Sequence, residues 1–185
     1  MYDTIDRQYS ANEMLEAILQ IVSNICFCNS SYQIKLIEMG LIDLLKTFLM
    51  YFCSYQYFSP VRQSKEMIDI SNLSIGCITL VKSVSLIIHS LTKNVEIQEL
   101  LIHRDMISVI KHCNRLLEYE VLTNTYLSIG NLMLSPLEHV RKRAVELGCM
   151  EILLDSNEES EFLRIRRICN SVLQQTDPRL FEYND

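Results

Sequence analysis

The chain has 185 residues, of which 49% are apolar and 22% charged, a composition that suits one globular domain with a sizeable core. Its formal net charge is −6 and its basic clusters are short. A nucleic-acid-binding surface needs a broad positive field, so we expect no nucleic-acid partner. Only four glycines and three prolines occur, which disfavours a turn-rich β architecture and predicts an all-α fold.

The N-terminal segment lacks the basic start and apolar run of a signal peptide, and the first predicted helix covers residues 11 to 29. The apolar stretch from 73 to 91 is interrupted by Ser, Lys and His, so we expect no membrane span. The seven cysteines are an odd number without zinc-ligand spacing, which predicts reduced, buried thiols and no metal or other cofactor. An intracellular, cytoplasmic protein is therefore expected, with nuclear, cytoskeletal or ciliary locations left open.

Three helical units follow the first helix, at residues 31 to 92, 94 to 134 and 136 to 175, with a tail from 176 to 185. The first unit carries an insertion at 51 to 72. Proline breaks a helix, so Pro60 predicts that this insertion is a projecting loop. Its aromatic residues are candidate partner anchors, because such side chains offer large contact area at small entropic cost; alternatively, they pack beneath their own loop. They are Tyr51, Phe52, Tyr55, Tyr57 and Phe58.

A recurring polar position aligns the third helices of these units with the first helix. It is occupied by Asn24, His89, Asn131 and Asn170, which are separated by 65, 42 and 39 residues. Apolar residues stand five and two positions before it and two positions after it, and these steps of 3 and 4 residues lie on one helical face. The pattern predicts a repeated core stripe of Leu19, Val22, Cys26, Val84, Ile87, Leu91, Tyr126, Ile129, Met133, Ile165, Ile168 and Val172.

A sharp junction between the first and second helix of each unit is the other recurring feature. Gly40, Asp105 and Gly148 occupy it. Glycine adopts a positive φ at little cost, and aspartate tolerates such a turn better than most residues do. We therefore expect a change of direction at each of these residues, with the second helix beginning at once.

A short helix, a glycine-marked turn, a second helix and a longer third helix with a recurrent asparagine resemble the armadillo repeat. The resemblance covers roughly residues 11 to 175 and implies a right-handed α-α superhelix, an armadillo-type solenoid of about three repeats plus an N-terminal helix. HEAT repeats are the main alternative, and the three-helix count with the glycine favours armadillo. In armadillo proteins the third helices line a concave groove, where the recurrent asparagines bind the backbone of an extended peptide.

The resemblance places Asn24, Asn131 and Asn170 in such a ladder, which His89 interrupts. Nuclear-import adaptors of this family carry tryptophan four residues earlier, and this chain has no tryptophan, so recognition of a nuclear-localisation peptide is not expected. Those flanking groove positions are Gln20, Ser85, Leu127 and Arg166. The alternative for the asparagines is structural, because an amide near a helix end can bond a neighbouring repeat.

A non-catalytic protein–protein interaction module is the function that the resemblance implies, as an adaptor or structural subunit of a larger multiprotein assembly. A peptide-groove receptor is the alternative. An enzyme is a weaker one, since the sequence has no phosphate loop, G-x-S-x-G or H-E-x-x-H motif. We expect protein partners and no small-molecule substrate or membrane.

The two ends of the repeat array also bear on partners. Met14, Leu15, Ile18 and Leu19 have no preceding repeat to cover them, and neither end of the sequence shows a polar capping repeat. We therefore expect a partner chain, or residues 1 to 10, to cover the N-terminal end.

Overall fold

The computed structural model describes residues 2 to 55, 68 to 71, 75 to 159 and 162 to 176. Side chains are described at 13 to 27, 29 to 50, 68 to 71, 75 to 156 and 162 to 176. Within these ranges nearly all of the chain is helical, which confirms the predicted all-α class.

The helices are α1 (Tyr2–Cys28), α2 (Ser30–Glu38), α3 (Leu41–Tyr55), α4 (Ile75–Thr92), α5 (Val95–His103), α6 (Met106–Asn114), α7 (Tyr119–Met133), α8 (Glu138–Glu146), α9 (Cys149–Glu159) and α10 (Leu163–Thr176). Two short strands, β1 (Ile68–Asp69) and β2 (Leu116–Leu117), pair in parallel. After α1, the helices follow one another as three groups of three, in which α4, α7 and α10 are the third helices.

Side-chain caps explain where two of the short helices begin. The Asn29 side chain accepts a hydrogen bond from the Ser31 backbone N–H at 2.7 Å, and the Asn94 side chain accepts one from the Glu96 N–H at 3.1 Å. Each satisfies a donor that the first turn of a helix leaves without an intrahelical partner. α2 and α5, the first helices of their groups, therefore start at equivalent residues.

The predicted junctions are confirmed. Gly40, Asp105 and Gly148 have φ of +96°, +61° and +89°. An L-residue in this left-handed region costs roughly 1–2 kcal/mol, which is why glycine occupies two of the three positions. At the third, the Asp105 carboxylate pairs with Lys46 Nζ of α3 at 2.6 Å, so the aspartate also links α6 to the preceding group.

The predicted core stripe is confirmed as well. Ten of its twelve residues are buried, and the other two, Val22 and Ile168, are partly buried against the same core. Equivalent helices of successive groups contact each other: α1, α4, α7 and α10 form one row, α2, α5 and α8 a second, and α3 packs against α6. The residues of the core stripe therefore lie in the interior that these rows of helices share.

The predicted boundaries were wrong in two places. α1 begins at Tyr2, nine residues before the predicted start at 11. Two parts of the insertion from 51 to 72 are not loop: α3 continues through Tyr55, and the strand at Ile68–Asp69 pairs with Leu116–Leu117. Ile68 and Ile70 are buried, and the burial of these apolar side chains holds the strand against the segment between α6 and α7.

Candidate functional site on the third helices

The recurring polar position lies along the row formed by α1, α4, α7 and α10. Asn24 is exposed on α1, whereas His89 and Asn131 are half-buried where α4 packs against α7. The residues that the sequence predicts as a ladder therefore occupy different environments.

Asn131 bonds the neighbouring helix. Its amide Nδ2 donates to Thr92 Oγ1 at 3.3 Å and lies 3.5 Å from His89 Nδ1, both on α4. Because an amide nitrogen is only a donor, His89 accepts through an unprotonated Nδ1. The structural alternative thus describes Asn131: its donor joins two successive third helices.

Asn24 occupies the same position on α1, where no described helix precedes it. Its side chain is exposed, and its Oδ1 accepts a long hydrogen bond of 3.3 Å from Gln20 Nε2 within the same helix. An exposed amide retains donor and acceptor capacity for another molecule. The Asn24 amide is therefore open to solvent, unlike the half-buried Asn131 amide.

α10 can be aligned with α7 in two adjacent registers, with spacings of 39 or 40 residues. The buried residues Ile165, Cys169, Val172 and Leu173 lie 40 residues after Thr125, Ile129, Leu132 and Met133 of α7, which are all buried too. With the predicted spacing of 39, the exposed Arg164 and Arg167 would match the buried Thr125 and Ser128. With a spacing of 40, the exposed Arg166 would match the buried Tyr126, so burial does not decide between the two registers, and the place of the half-buried Asn170 in the ladder stays a prediction.

His89 is held neutral by its surroundings. Burial lowers the pKa of its imidazole, and the nearby positive charge of Lys93 lowers it further. A neutral ring keeps Nδ1 available as the acceptor that faces Asn131. His89 therefore has a structural role, because its Nδ1 accepts the hydrogen bond that the Asn131 amide donates.

The four flanking groove positions also differ from one another. Gln20 and Arg166 are exposed, and Leu127 is half-buried. Ser85 is buried, where its hydroxyl donates to the Lys82 carbonyl at 2.8 Å and accepts from Asn124 Nδ2 of α7 at 3.0 Å. Ser85 therefore does not reach the surface, and its prediction as a groove residue was wrong because α7 covers it.

A shallow cavity of about 300 Å³ lies beside Asn131, between α7 and α10. Leu127, Leu134, Ile168 and Val172 give it apolar walls, and Lys93 and Gln98 contribute polar groups at the side of α5. Gly130 also lines it, and a side chain there would come within 3.0 Å of Val172 Cγ2. The missing side chain at Gly130 thus allows α10 to approach α7 closely.

Two buried glutamines were not singled out in the sequence. Gln33 donates through Nε2 to the Cys26 carbonyl, and Gln98 donates to the carbonyls of Thr92 at 2.8 Å and Asn131 at 3.1 Å. Both lie nine residues after the recurring polar position and satisfy carbonyls at the ends of third helices, which lack intrahelical donors. Their equal spacing from the recurring polar position was the signal in the sequence that could have identified them. They were missed because a polar residue on a short amphipathic helix is expected on its solvent-exposed side.

The N-terminal end of the rows exposes a group of large apolar side chains, which we call the N-terminal face: Met14, Ile18 and Ile21 of α1, Tyr32 of α2 and Leu44 of α3. The three α1 residues are 62%, 47% and 58% exposed, whereas their equivalents in α7, Val121, Thr125 and Ser128, are 0%, 2% and 0% exposed. In α4 the equivalent residues are half-buried. Tyr32 and Leu44 are 54% and 60% exposed, against 1% and 0% for Ile97 and Val109, which lie 65 residues later. Each of the five positions thus has a buried equivalent in the group formed by α5, α6 and α7.

The side of α10 that faces away from α7 is mainly polar. Arg166, Arg167 and Gln174 are exposed there, together with Leu163. A polar outer face is what a terminal capping repeat provides. The expectation that neither end carries a polar capping repeat stays a prediction, since residues 177 to 185, which follow α10, lie outside the described residues.

An ion-pair cluster joins α4 to the start of α7. Lys82 Nζ lies 3.0 Å from Glu118 Oε1 and 2.9 Å from Glu120 Oε2. The carboxylates of these two residues raise the pKa of the Lys82 ammonium group. α4 and α7 are thus linked by ion pairs at one end of their contact and by the Asn131 amide at the other.

The predicted aromatic anchors remain predictions. Tyr57 and Phe58 lie outside the described residues, and for Tyr51, Phe52 and Tyr55 only the helical backbone is described. Among the described cysteine side chains, Cys26, Cys113, Cys149 and Cys169 are buried, as predicted, and Cys77 is half-buried. Burial raises the pKa of Cys26 to about 11 and those of Cys149 and Cys169 to about 12, so these thiols are poor nucleophiles.

One helix among the described residues, α4, is long and apolar enough to cross a membrane by length and composition. The core helix of a soluble protein meets the same criterion. Half of α4 is buried, and it packs between α1 and α7, as such a core helix does.

No family model, no curated protein and no solved structure matches the chain. Functional conclusions therefore rest on the residues and contacts of the chain itself.

Proposed function

We propose that the chain is an armadillo-type solenoid of about three repeats that binds other proteins without catalysis, as an adaptor or structural subunit of a larger assembly. The successive contacts between equivalent helices and the positive φ at Gly40, Asp105 and Gly148 support the repeat assignment. The proposal includes an intracellular, reducing location, which suits the buried cysteine thiols.

The observation that carries the proposal is the N-terminal face. Its side chains lie on three separate helices, and each has a buried equivalent in α5, α6 or α7. Contiguous exposed apolar surface on a folded protein marks an interaction site. A partner protein that covers this face would remove the apolar side chains from water, which is the main favourable term in protein association.

Crosslinking followed by mass spectrometry of the protein in cell extract tests the proposal. We expect a reproducible set of partners whose crosslinks disappear in the Ile18→Asp/Ile21→Asp variant. Leu163→Asp is the matched control, since Leu163 is equally exposed at the opposite end of the rows. Circular dichroism would verify that each variant is folded. A chain that stays monomeric and without partners, or partners that ignore the double variant, would contradict the proposal.

The peptide-groove receptor is the second candidate, and the exposed Asn24 together with the cavity beside Asn131 favours it. Against it, the Asn131 donor already bonds α4. In the same crosslinking experiment, a groove receptor would lose its partners in Asn24→Ala/Asn131→Ala and keep them in Ile18→Asp/Ile21→Asp. The adaptor proposal expects the reverse.

A further inference from the structure

The residue that caps α5 also joins two helix groups. The first, second and third groups are α2 to α4, α5 to α7 and α8 to α10. Asn94 Nδ2 donates to Ser30 Oγ at 2.9 Å and to Gln33 Oε1 at 2.5 Å, and both acceptors belong to α2. The second group thus satisfies the Gln33 acceptor of the first.

The corresponding link is missing between the second and third groups. The N-cap residue of α8 is Leu137, whose side chain makes no capping hydrogen bond. Gln98 is equivalent to Gln33 at a spacing of 65 residues, and its buried Oε1 has no hydrogen-bond partner among the described residues. A buried acceptor without a partner costs free energy that the folded state does not recover. The contact between α5 and α8 therefore lacks a stabilising bond that the contact between α2 and α5 has.

The other polar links between the groups show the same difference. Five further pairs cross the contact between the first and second groups: Lys46–Asp105, Lys82–Glu118, Lys82–Glu120, Asn124–Ser85 and Asn131–Thr92. Between the second and third groups, the described polar links are Tyr126 with Ser156 and Glu99 with His139 at 3.6 Å, an exposed pair that contributes little. In addition, α3 packs against α6, whereas α9 packs against α7, α8 and α10 and not comparably against α6.

The third group is held mainly by the packing of α10 against α7. The Phe162 ring lies 5.3 Å from the Tyr119 ring, and Val172 approaches Gly130 closely. The same two helices border the cavity of about 300 Å³, where Leu127 and Ile168 remain half-buried. Apolar side chains at a cavity forgo part of the contact that stabilises a packed interface. The third group is therefore attached to the second less firmly than the second is to the first.

We infer that α8, α9 and α10 unfold together while α1 to α7 stay folded. One helix group cannot bury its apolar side without a neighbour, so its separation from α7 and its unfolding occur together. Such openings have lower free energies than global unfolding. The chain therefore has a long form and a short form, in which α7 ends the stack and its side around Gly130 faces solvent. This inference does not depend on the proposed function.

Hydrogen exchange of the full chain, followed by mass spectrometry of peptic fragments at low urea concentrations, tests the inference. We expect the amides of α8, α9 and α10 to share one degree of protection, at least about tenfold lower than that of α4 and α7, because the partly unfolded form is more populated than the globally unfolded one. Equal protection of α4, α7 and the third group would overturn the inference. So would weak protection confined to α10, because the last helix would then fray alone.

A substitution at the cap of α8 tests the cause. Leu137→Asn supplies the amide that Asn94 provides at α5, and Leu137→Ala is the matched control, since both variants lose the same partly buried leucine side chain. Exchange of α8 to α10 should be about fivefold slower in Leu137→Asn than in Leu137→Ala, as one hydrogen bond gives, and exchange of α4 should be the same in both. Equal exchange of α8 to α10 in the two variants would contradict the inference.

Cysteine labelling tests the opening without a variant. Cys149 and Cys169 of the third group are 0% exposed and Cys113 of the second is 1% exposed, so each thiol reacts only after an opening. We expect iodoacetamide to label Cys149 and Cys169 at least about tenfold faster than Cys113, as measured by peptide mass spectrometry. Labelling of all three thiols at one rate would overturn the inference, even if the Leu137 variants did not fold.

Discussion

α1 and α7 occupy equivalent places in the row of third helices, yet their polar and apolar residues do different things. On α7, Asn131 bonds the preceding helix, and the side turned toward α4 is buried. On α1, Asn24 is exposed and the corresponding side presents Met14, Ile18 and Ile21 to solvent. The same helix position is therefore bonded to a neighbouring helix on α7 and exposed to solvent on α1. The residue type alone does not decide between the two roles.

Truncating one apolar residue on α1 and one on α7 should give the largest difference in the free energy of unfolding. Ile129→Ala removes a fully buried side chain from α7, which is expected to lower the free energy of unfolding by about 2–5 kcal/mol. Ile21→Ala removes an exposed one from α1 and should change it by less than about 0.5 kcal/mol. Urea unfolding followed by circular dichroism measures both. Similar losses in the two variants would mean that the exposed side of α1 is covered in the isolated chain.

Gln98→Leu should have the next largest effect. The substitution leaves the buried carbonyls at Thr92 and Asn131 without the glutamine donor, at an expected cost of about 1–3 kcal/mol. Gln20→Leu, on the exposed side of α1, is the control and should be close to neutral. If Gln98→Leu unfolded at the same urea concentration as the unaltered protein, the recurring glutamines would not stabilise the ends of the third helices.

The amides of Asn131 and Asn24 should differ by a smaller amount in their contribution to the free energy of unfolding. Asn131→Ala removes the donor to Thr92 and should cost about 0.5–1.5 kcal/mol. Asn24→Ala should be neutral or stabilising by a few tenths of a kcal/mol, since alanine is the better helix former at an exposed site. Thermal and urea unfolding of the pair would show it. Equal losses in both would indicate that Asn24 has a structural contact in solution.

Much of this organisation was predictable from local patterns. The 3- and 4-residue spacing of apolar residues identified the core stripe, and Gly40, Asp105 and Gly148 identified the junctions, because both depend on the helix period and on backbone sterics alone. The register of α10 was not predictable in this way, since Ile165, Ile168, Cys169 and Val172 allow two adjacent alignments with α7. The role of Asn131 depended in turn on which helix lies beside it.

The smallest expected effect is a pH dependence that arises at the same contact between α4 and α7. The pKa of His89 is lowered in the folded state by burial and by Lys93, so below its unfolded pKa of about 6.5 the unfolded chain binds the proton more strongly. The stability linked to His89 is therefore fully present above that pH and is lost as the pH falls through the folded-state pKa.

Protonation would also convert the Nδ1 acceptor facing Asn131 into a donor. We expect the urea midpoint to fall between pH 7.5 and 5.5, and to fall less in His89→Gln, whereas His103→Gln, on the exposed end of α5, should keep the full slope. A slope unchanged in His89→Gln would place the pH dependence elsewhere, with His112, whose pKa burial also lowers, as the next residue to substitute. On α1 the equivalent amide, that of Asn24, faces solvent. The titration of His89 therefore reports only on whether the contact between α4 and α7 is formed.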